Sequence, residues 1–75
     1  MSKVKNKHKD KYSILGQNIR NARKAVGMSQ ENLAFEINSN RNYVGCVERA
    51  EKRPSLAFIF DIAEVLHINP FENIF

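Results

Sequence analysis

Seventy-five residues suffice for one domain with a modest core, a size that is only marginally stable without added burial from a partner. A single cysteine, Cys46, rules out an internal disulfide and suits a reducing compartment. The N-terminus lacks the apolar stretch of a signal peptide, and no run approaches the roughly 18 apolar residues of a membrane span, so a cytoplasmic protein is expected. The net charge of +4 is carried entirely by residues 1–11, MSKVKNKHKDK, with five lysines and one aspartate; residues 12–75 balance seven basic against seven acidic side chains.

Residues 1–11 lack apolar periodicity and are expected to form a disordered basic arm. Such an arm can follow a phosphate backbone or enter a minor groove, or it can serve only as a solubilising tail. The first helix is expected from Tyr12 or Ser13 to Val26. Its apolar stripe is Ile14, Leu15, Ile19, Ala22 and Val26, with Arg20 and Lys24 facing away, Arg23 beside the stripe and Gly27 as the stop.

Ser29 is placed to cap a second helix, although Asn32 replaces the Glu or Gln of a full capping box. Leu33, Ala34 and Ile37 form its buried side, and Phe35 is expected to be partly buried. Gln30, at the first helical position, can meet a phosphate or simply be solvated. The polar run NSNRN (residues 38–42) then separates two segments with helical apolar spacing. Asn38 suits a left-handed turn, and Asn40 caps a third helix running from about Arg41 to Arg49 or Ala50. Two short helices joined by a tight turn form a helix-turn-helix, whose second helix can enter a major groove.

At 100° per residue, Val44, Val47 and Glu48 share the inner side of the third helix. Asn42, Cys46 and Arg49 share the opposite side, with Gly45 beside them and Arg41 and Tyr43 on the flanks. Asn can bond adenine bidentately and Arg can bond guanine, so this face suits base edges. A glycine inside a helix costs about 1 kcal/mol relative to alanine. An exposed Gly45 therefore suggests the close approach of a DNA backbone or base edge, or else a tolerant surface position. Cys46 has no second cysteine or neighbouring base to make it a ligand or nucleophile. Its plainest role is a small contact to a thymine methyl or a sugar, with redox control as the other reading.

Lys52 and Arg53 follow the exposed end of that helix, within reach of phosphates, in a charged loop ending at Pro54. Ser55 caps a fourth helix, Leu56 to Leu66, whose apolar stripe is wider than one core-facing side requires. Asn69 caps a last short helix that opens with Pro70. So many large apolar groups near the C-terminus point to a second interface. A homodimer using Phe58, Val65, Phe71, Ile74 and Phe75 is expected; closure of a single core is the simpler use of the same residues. The candidate DNA contacts are Ser29, Gln30, Asn40, Arg41, Asn42, Tyr43, Gly45, Cys46, Arg49, Lys52 and Arg53.

From Leu15 onward, the ordered set IRNARKAVGMSQENLA, RNYVGCVERAEKRPSL and DIAEVLHINPFENIF resembles the lambda-repressor-like (Cro/repressor, XRE-type) helix-turn-helix family. The resemblance implies an all-α fold of five helices, the second and third of which read DNA. It carries Ser29 and Gln30 to the phosphate-contacting start of helix 2, and Arg41, Asn42, Cys46 and Arg49 to the recognition helix. It also pairs Arg23 with Glu48 as a buried ion pair between helices 1 and 3. Asn38 stands where glycine is usual, Ser39 where an apolar residue is usual, and Ala50 where glycine often ends helix 3. Stand-alone chains of this length and form resemble restriction–modification controller proteins and small phage-type repressors.

An enzyme is not expected. His8 and His67 lie outside any catalytic constellation, Asp61 and Glu64 read as a solvated edge, and no cofactor, metal or small-molecule ligand is indicated. The expected partners are double-stranded DNA, as a pseudo-palindromic operator, and a second copy of the chain. The competing class is a protein-interaction or antitoxin-like module that uses the apolar C-terminal face.

Overall fold

The computed structural model describes residues 8–75, and these form five α-helices with no strand among them. They are α1 (Lys9–Ala25), α2 (Gln30–Glu36), α3 (Arg41–Glu48), α4 (Leu56–Leu66) and α5 (Pro70–Asn73). Residues 1–7 of the expected arm lie outside the described residues. Lys9 to Lys11 do not belong to an arm at all, because α1 begins three residues before Tyr12. Extending an existing helix needs no new nucleus, and Asp10 in the first turn and Arg23 and Lys24 in the last complement the helix dipole.

Polar caps start the other four helices. Ser29, Asn40, Ser55 and Asn69 each take an extended backbone and accept one or two N–H groups of the turn that follows. The four longer helices all end in one way, with a residue at positive φ: Gly27 (74°), Asn38 (57°), Ala50 (62°) and His67 (57°). In each, the next amide reaches back five residues, as from Met28 to the Arg23 carbonyl (3.1 Å) and from Glu51 to the Cys46 carbonyl (2.7 Å). This is the Schellman arrangement, which favours glycine. Only one of the four positions has it.

Ala50 carries a Cβ in a conformation that costs an L-residue about 1–2 kcal/mol, against roughly 0.5–1 kcal/mol for the extra chain entropy of glycine. Ala50→Gly is therefore expected to stabilise the fold by about 0.5–1 kcal/mol, read as a rise of a few degrees in thermal midpoint. A fall in midpoint would contradict the strain assigned to this position.

Ile19, Leu33, Val44, Val47, Ile59, Ile62 and Leu66 fill the core with Ala34, Ala63 and Ile74. Three sequence expectations need correcting. Ile14 and Val26, expected on the α1 stripe, are 61% and 53% exposed, and the buried line of α1 runs through Gly16, Ile19 and Arg23. Phe35 is 82% exposed rather than partly buried, because α2 is short and turns only Leu33 and Ala34 fully inward. Ile74 is fully buried and cannot form part of a dimer surface. It closes the core beneath α1, where the Asn18 amide donates to its carbonyl at 2.9 Å. Phe58 and Val65, also expected at the interface, are half-buried and pack against the core.

Gly16 decides how α1 meets α3. A Cβ there would lie 2.5 Å from the carbonyl oxygen of Val47 and 2.6 Å from that of Glu48. Both are backbone atoms, so only glycine lets the C-terminal turn of α3 sit directly on α1.

Candidate nucleic-acid interface

The inner end of α3 is tied down by a buried polar cluster. Arg23 on α1 donates through Nε to Glu48 Oε2 (2.7 Å), through Nη2 to Glu48 Oε1 (3.0 Å) and through Nη1 to the Met28 carbonyl (2.7 Å). Gln30 at the start of α2 adds an Nε2 bond to Glu48 Oε1 (3.0 Å). The two charged side chains are 8% and 2% exposed, and no buried side-chain nitrogen or oxygen among the described residues lacks a partner. One carboxylate thus fixes α3 against both α1 and α2, and Arg23 ties the α1–α2 connection into the same cluster. Such a pair contributes little net stability beside apolar packing, yet it sets geometry, and breaking it strands a charge.

Gln30 therefore departs from the freely solvated reading of its side chain. Its side chain is half-buried and turned inward to Glu48, because the carboxylate has an acceptor to offer within the protein. Gly45 also departs from expectation, being buried rather than exposed. The position of its missing Cβ lies 3.0 Å from Arg49 Nη1 and 3.4 Å from Gln30 Oε1. What comes close to this glycine in the free protein is its own Arg49 and Gln30.

Two candidate contacts already serve as caps: the Ser29 hydroxyl accepts from the Asn32 amide (3.0 Å), and Asn40 Oδ1 accepts from the Tyr43 amide (2.8 Å). The Ser29 O–H and the Asn40 NH₂ remain as donors. Tyr43 is half-buried, edge-on to Phe58 with ring centroids 4.9 Å apart. Arg41 and Asn42 are exposed on the first turn of α3, and Cys46 is half-exposed one turn further on.

Arg49 forms two bonds to Glu51, Nε to Oε2 at 3.0 Å and Nη2 to Oε1 at 3.2 Å. Its Nη2 also lies 3.8 Å from Cys46 Sγ. The bond and charge of Arg49 hold the Glu51 carboxyl below the usual range, while Glu51 pushes the guanidinium further up. Lys52 and Arg53 are exposed, and the Arg53 guanidinium sits 5.1 Å above the Tyr12 ring of α1.

An open depression between the start of α1 and the α3–α4 loop collects Lys9, Tyr12, Arg49, Lys52 and Arg53 around Ala50 and Glu51. The described surface thus presents one polar and basic strip, from Arg41 along α3 to Lys52, Arg53 and Lys9. Lys9 lies in α1 rather than in an arm, and nothing local in a lysine-rich tail announces that helix start. The pairing of Glu51 depends on the left-handed turn at Ala50, which a charged loop does not announce. The spacing of Gly16 from Ile19 and Arg23, three and seven residues, is a legible helical signal.

Comparison with known proteins agrees with this geometry. The helix-turn-helix family profile matches residues 19–73. The chain is 39% identical over 59 residues to the uncharacterised HTH-type transcriptional regulator YazB of Bacillus subtilis, spanning 79% of this chain and 86% of that one. It is 38% identical over 58 residues to the control protein C.BamHI of Bacillus amyloliquefaciens, spanning 76% and 72%. Among solved structures, the restriction–modification controller protein C.AhdI of Aeromonas hydrophila superposes with a TM-score of 0.85 at 41% identity, over 91% of this chain and 97% of that one. The chain belongs to the helix-turn-helix family, of the XRE type, whose members regulate transcription by binding DNA rather than by catalysis.

Proposed function

We propose that this chain is a homodimeric, cytoplasmic transcriptional regulator that reads a pseudo-palindromic operator, with α3 in the major groove and half-sites about 10 bp apart. The observation that carries the reading is the outward row Arg41, Asn42, Cys46 and Arg49, held on a helix whose inner end is locked by Glu48. Ser29, Asn40, Lys52, Arg53 and Lys9 flank that row as donors to phosphate, and Tyr43 stands at its edge. Similarity to C.BamHI and C.AhdI supports a controller of restriction–modification genes as the setting.

Two substitutions separate base reading from phosphate binding. Asn42→Ala is expected to cost about 1–3 kcal/mol at a single base pair and to relax preference there alone. Lys52→Ala is expected to weaken binding to every sequence alike and to reduce the slope of log affinity against log salt by about one unit. Measured affinities for an operator and its single-base variants decide the matter. If neither substitution changes DNA affinity, α3 is not the reading helix.

We assign the dimer surface to the aromatic cluster that the core leaves uncovered, not to Ile74. Phe71 is 69% exposed, Phe75 50% and Phe60 44%. Phe71 stacks on Phe75 at 5.7 Å and tilts against Phe60 at 6.2 Å. Leu56, 61% exposed, lines an open depression together with Phe75. A contiguous apolar patch of this kind on a small chain supports burial against a second copy. Sedimentation is expected to show a dimer at micromolar concentration and a monomer for Phe71→Asp; a wild-type monomer both with and without operator DNA would overturn the assignment.

A further inference from the structure

We propose that Glu51 is a specificity-determining residue that acts by positioning Arg49. The inference rests on the reading of α3 as the DNA-reading helix and names a device within it. The two bonds donated to Glu51 occupy one edge of the guanidinium, Nε with one hydrogen of Nη2. The remaining end, Nη1 with the second hydrogen of Nη2, lies over Gly45 and against Cys46 Sγ on the outer side of α3.

A guanidinium carries five N–H donors in a rigid fork, so it can serve a carboxylate with one edge and a base with the other. That end, held by the protein only through the long Nη2 contact to Cys46 Sγ, is the pair of donors that fits O6 and N7 of guanine. The absence of a side chain at Gly45 leaves the room in which Nη1 sits, which gives that glycine a use within the protein itself. The left-handed turn at Ala50 brings Glu51 back beside Arg49, and the Glu51 amide is anchored on the Cys46 carbonyl at 2.7 Å.

Glu51 also places a negative charge where a phosphate would otherwise attract Arg49. Both side chains are more than half exposed, at 56% and 55%, so an unpaired Arg49 would be free to swing to the backbone of any sequence. The carboxylate therefore works in two ways, orienting the guanidinium for a base and making a non-specific phosphate contact less favourable. Specificity of this kind is a difference between affinities, raised by opposing the wrong partner as well as by favouring the right one.

The test measures wild type, Arg49→Ala, Glu51→Gln and Glu51→Asp by fluorescence anisotropy against a selected duplex, its single-base variants and unrelated DNA, over a range of salt. Arg49→Ala is expected to flatten the preference for guanine at one position. Glu51→Gln, at an exposed site where folding should be unaffected, is expected to lower that same preference roughly tenfold. It should also steepen the salt slope on unrelated DNA by about one unit as the freed Arg49 finds a phosphate. Glu51→Asp keeps the charge but shortens the arm; it is expected to leave the salt slope unchanged and still lose base preference.

A Glu51→Gln profile identical to wild type at every position, beside an Arg49→Ala profile that is flattened at one, overturns this inference alone. So does a Glu51→Gln effect spread evenly over all positions. A wild-type protein with no base preference overturns it together with the reading of α3.

Discussion

Replacing Glu48 with alanine is expected to remove about 3–5 kcal/mol of folding stability, because it leaves the Arg23 guanidinium buried without its carboxylate. Arg23 would keep only the bond to the Met28 carbonyl, and Gln30 would lose its acceptor as well. Against the roughly 5–15 kcal/mol of a typical domain, such a loss is a large fraction of the whole. For a chain of this length it corresponds to a fall of well over 10 °C in thermal midpoint. Replacing both partners with apolar residues of similar size, Arg23→Met with Glu48→Leu, is expected to restore most of the stability, since no charge is then stranded. Restored stability need not restore orientation, and the double variant should bind DNA less selectively. Urea unfolding of the three proteins provides the check. A single-variant loss below about 1 kcal/mol would mean that the pair is solvated rather than buried.

Gly16→Ala is the second large effect, and here two principles predict opposite signs. Helix propensity alone says that alanine in the middle of α1 should stabilise by about 1 kcal/mol. The contact with α3 says otherwise, since the new methyl would meet two backbone carbonyl oxygens at 2.5 and 2.6 Å. Neither can move without shifting the end of α3, and overpacking of this kind typically costs about 1–3 kcal/mol. A net loss of stability is expected, together with weaker operator binding because the reading helix is displaced. Thermal unfolding that shows stabilisation would mean that α1 and α3 do not approach as closely as described.

How much of this was legible in the sequence follows the range of the interactions. The caps at Ser29, Asn40, Ser55 and Asn69 are local, and each starts its helix where the residue type says it should. The left-handed stop at Asn38 is local too. The inward side of α3, with Val44, Val47 and Glu48, follows from helical periodicity alone, and all three are buried. Arg23 opposite Glu48 was supplied by family resemblance; periodicity put Arg23 beside a stripe but could not name a partner 25 positions away.

The errors arise where tertiary neighbours decide. Gly45 is buried only because Gln30 and Arg49 fold over it, and Ile74 is buried only because the last helix returns beneath α1. The surplus of apolar residues near the C-terminus was visible by composition. Which of them remain most exposed, Leu56, Phe60, Phe71 and Phe75, with Phe58 and Val65 half-buried and Ile74 fully so, depends on how α4 and α5 pack.

The most direct measurement of the central claim is selection of bound duplexes from a random-sequence DNA pool at about 150 mM salt, where weak phosphate-only binding is suppressed. If α3 reads bases and the chain works as a dimer, an inverted repeat should be enriched, with half-site centres about 10 bp apart. Failure of folded protein to enrich any sequence would contradict base reading by Arg41, Asn42 and Arg49, and would leave the exposed aromatic face as the functional surface.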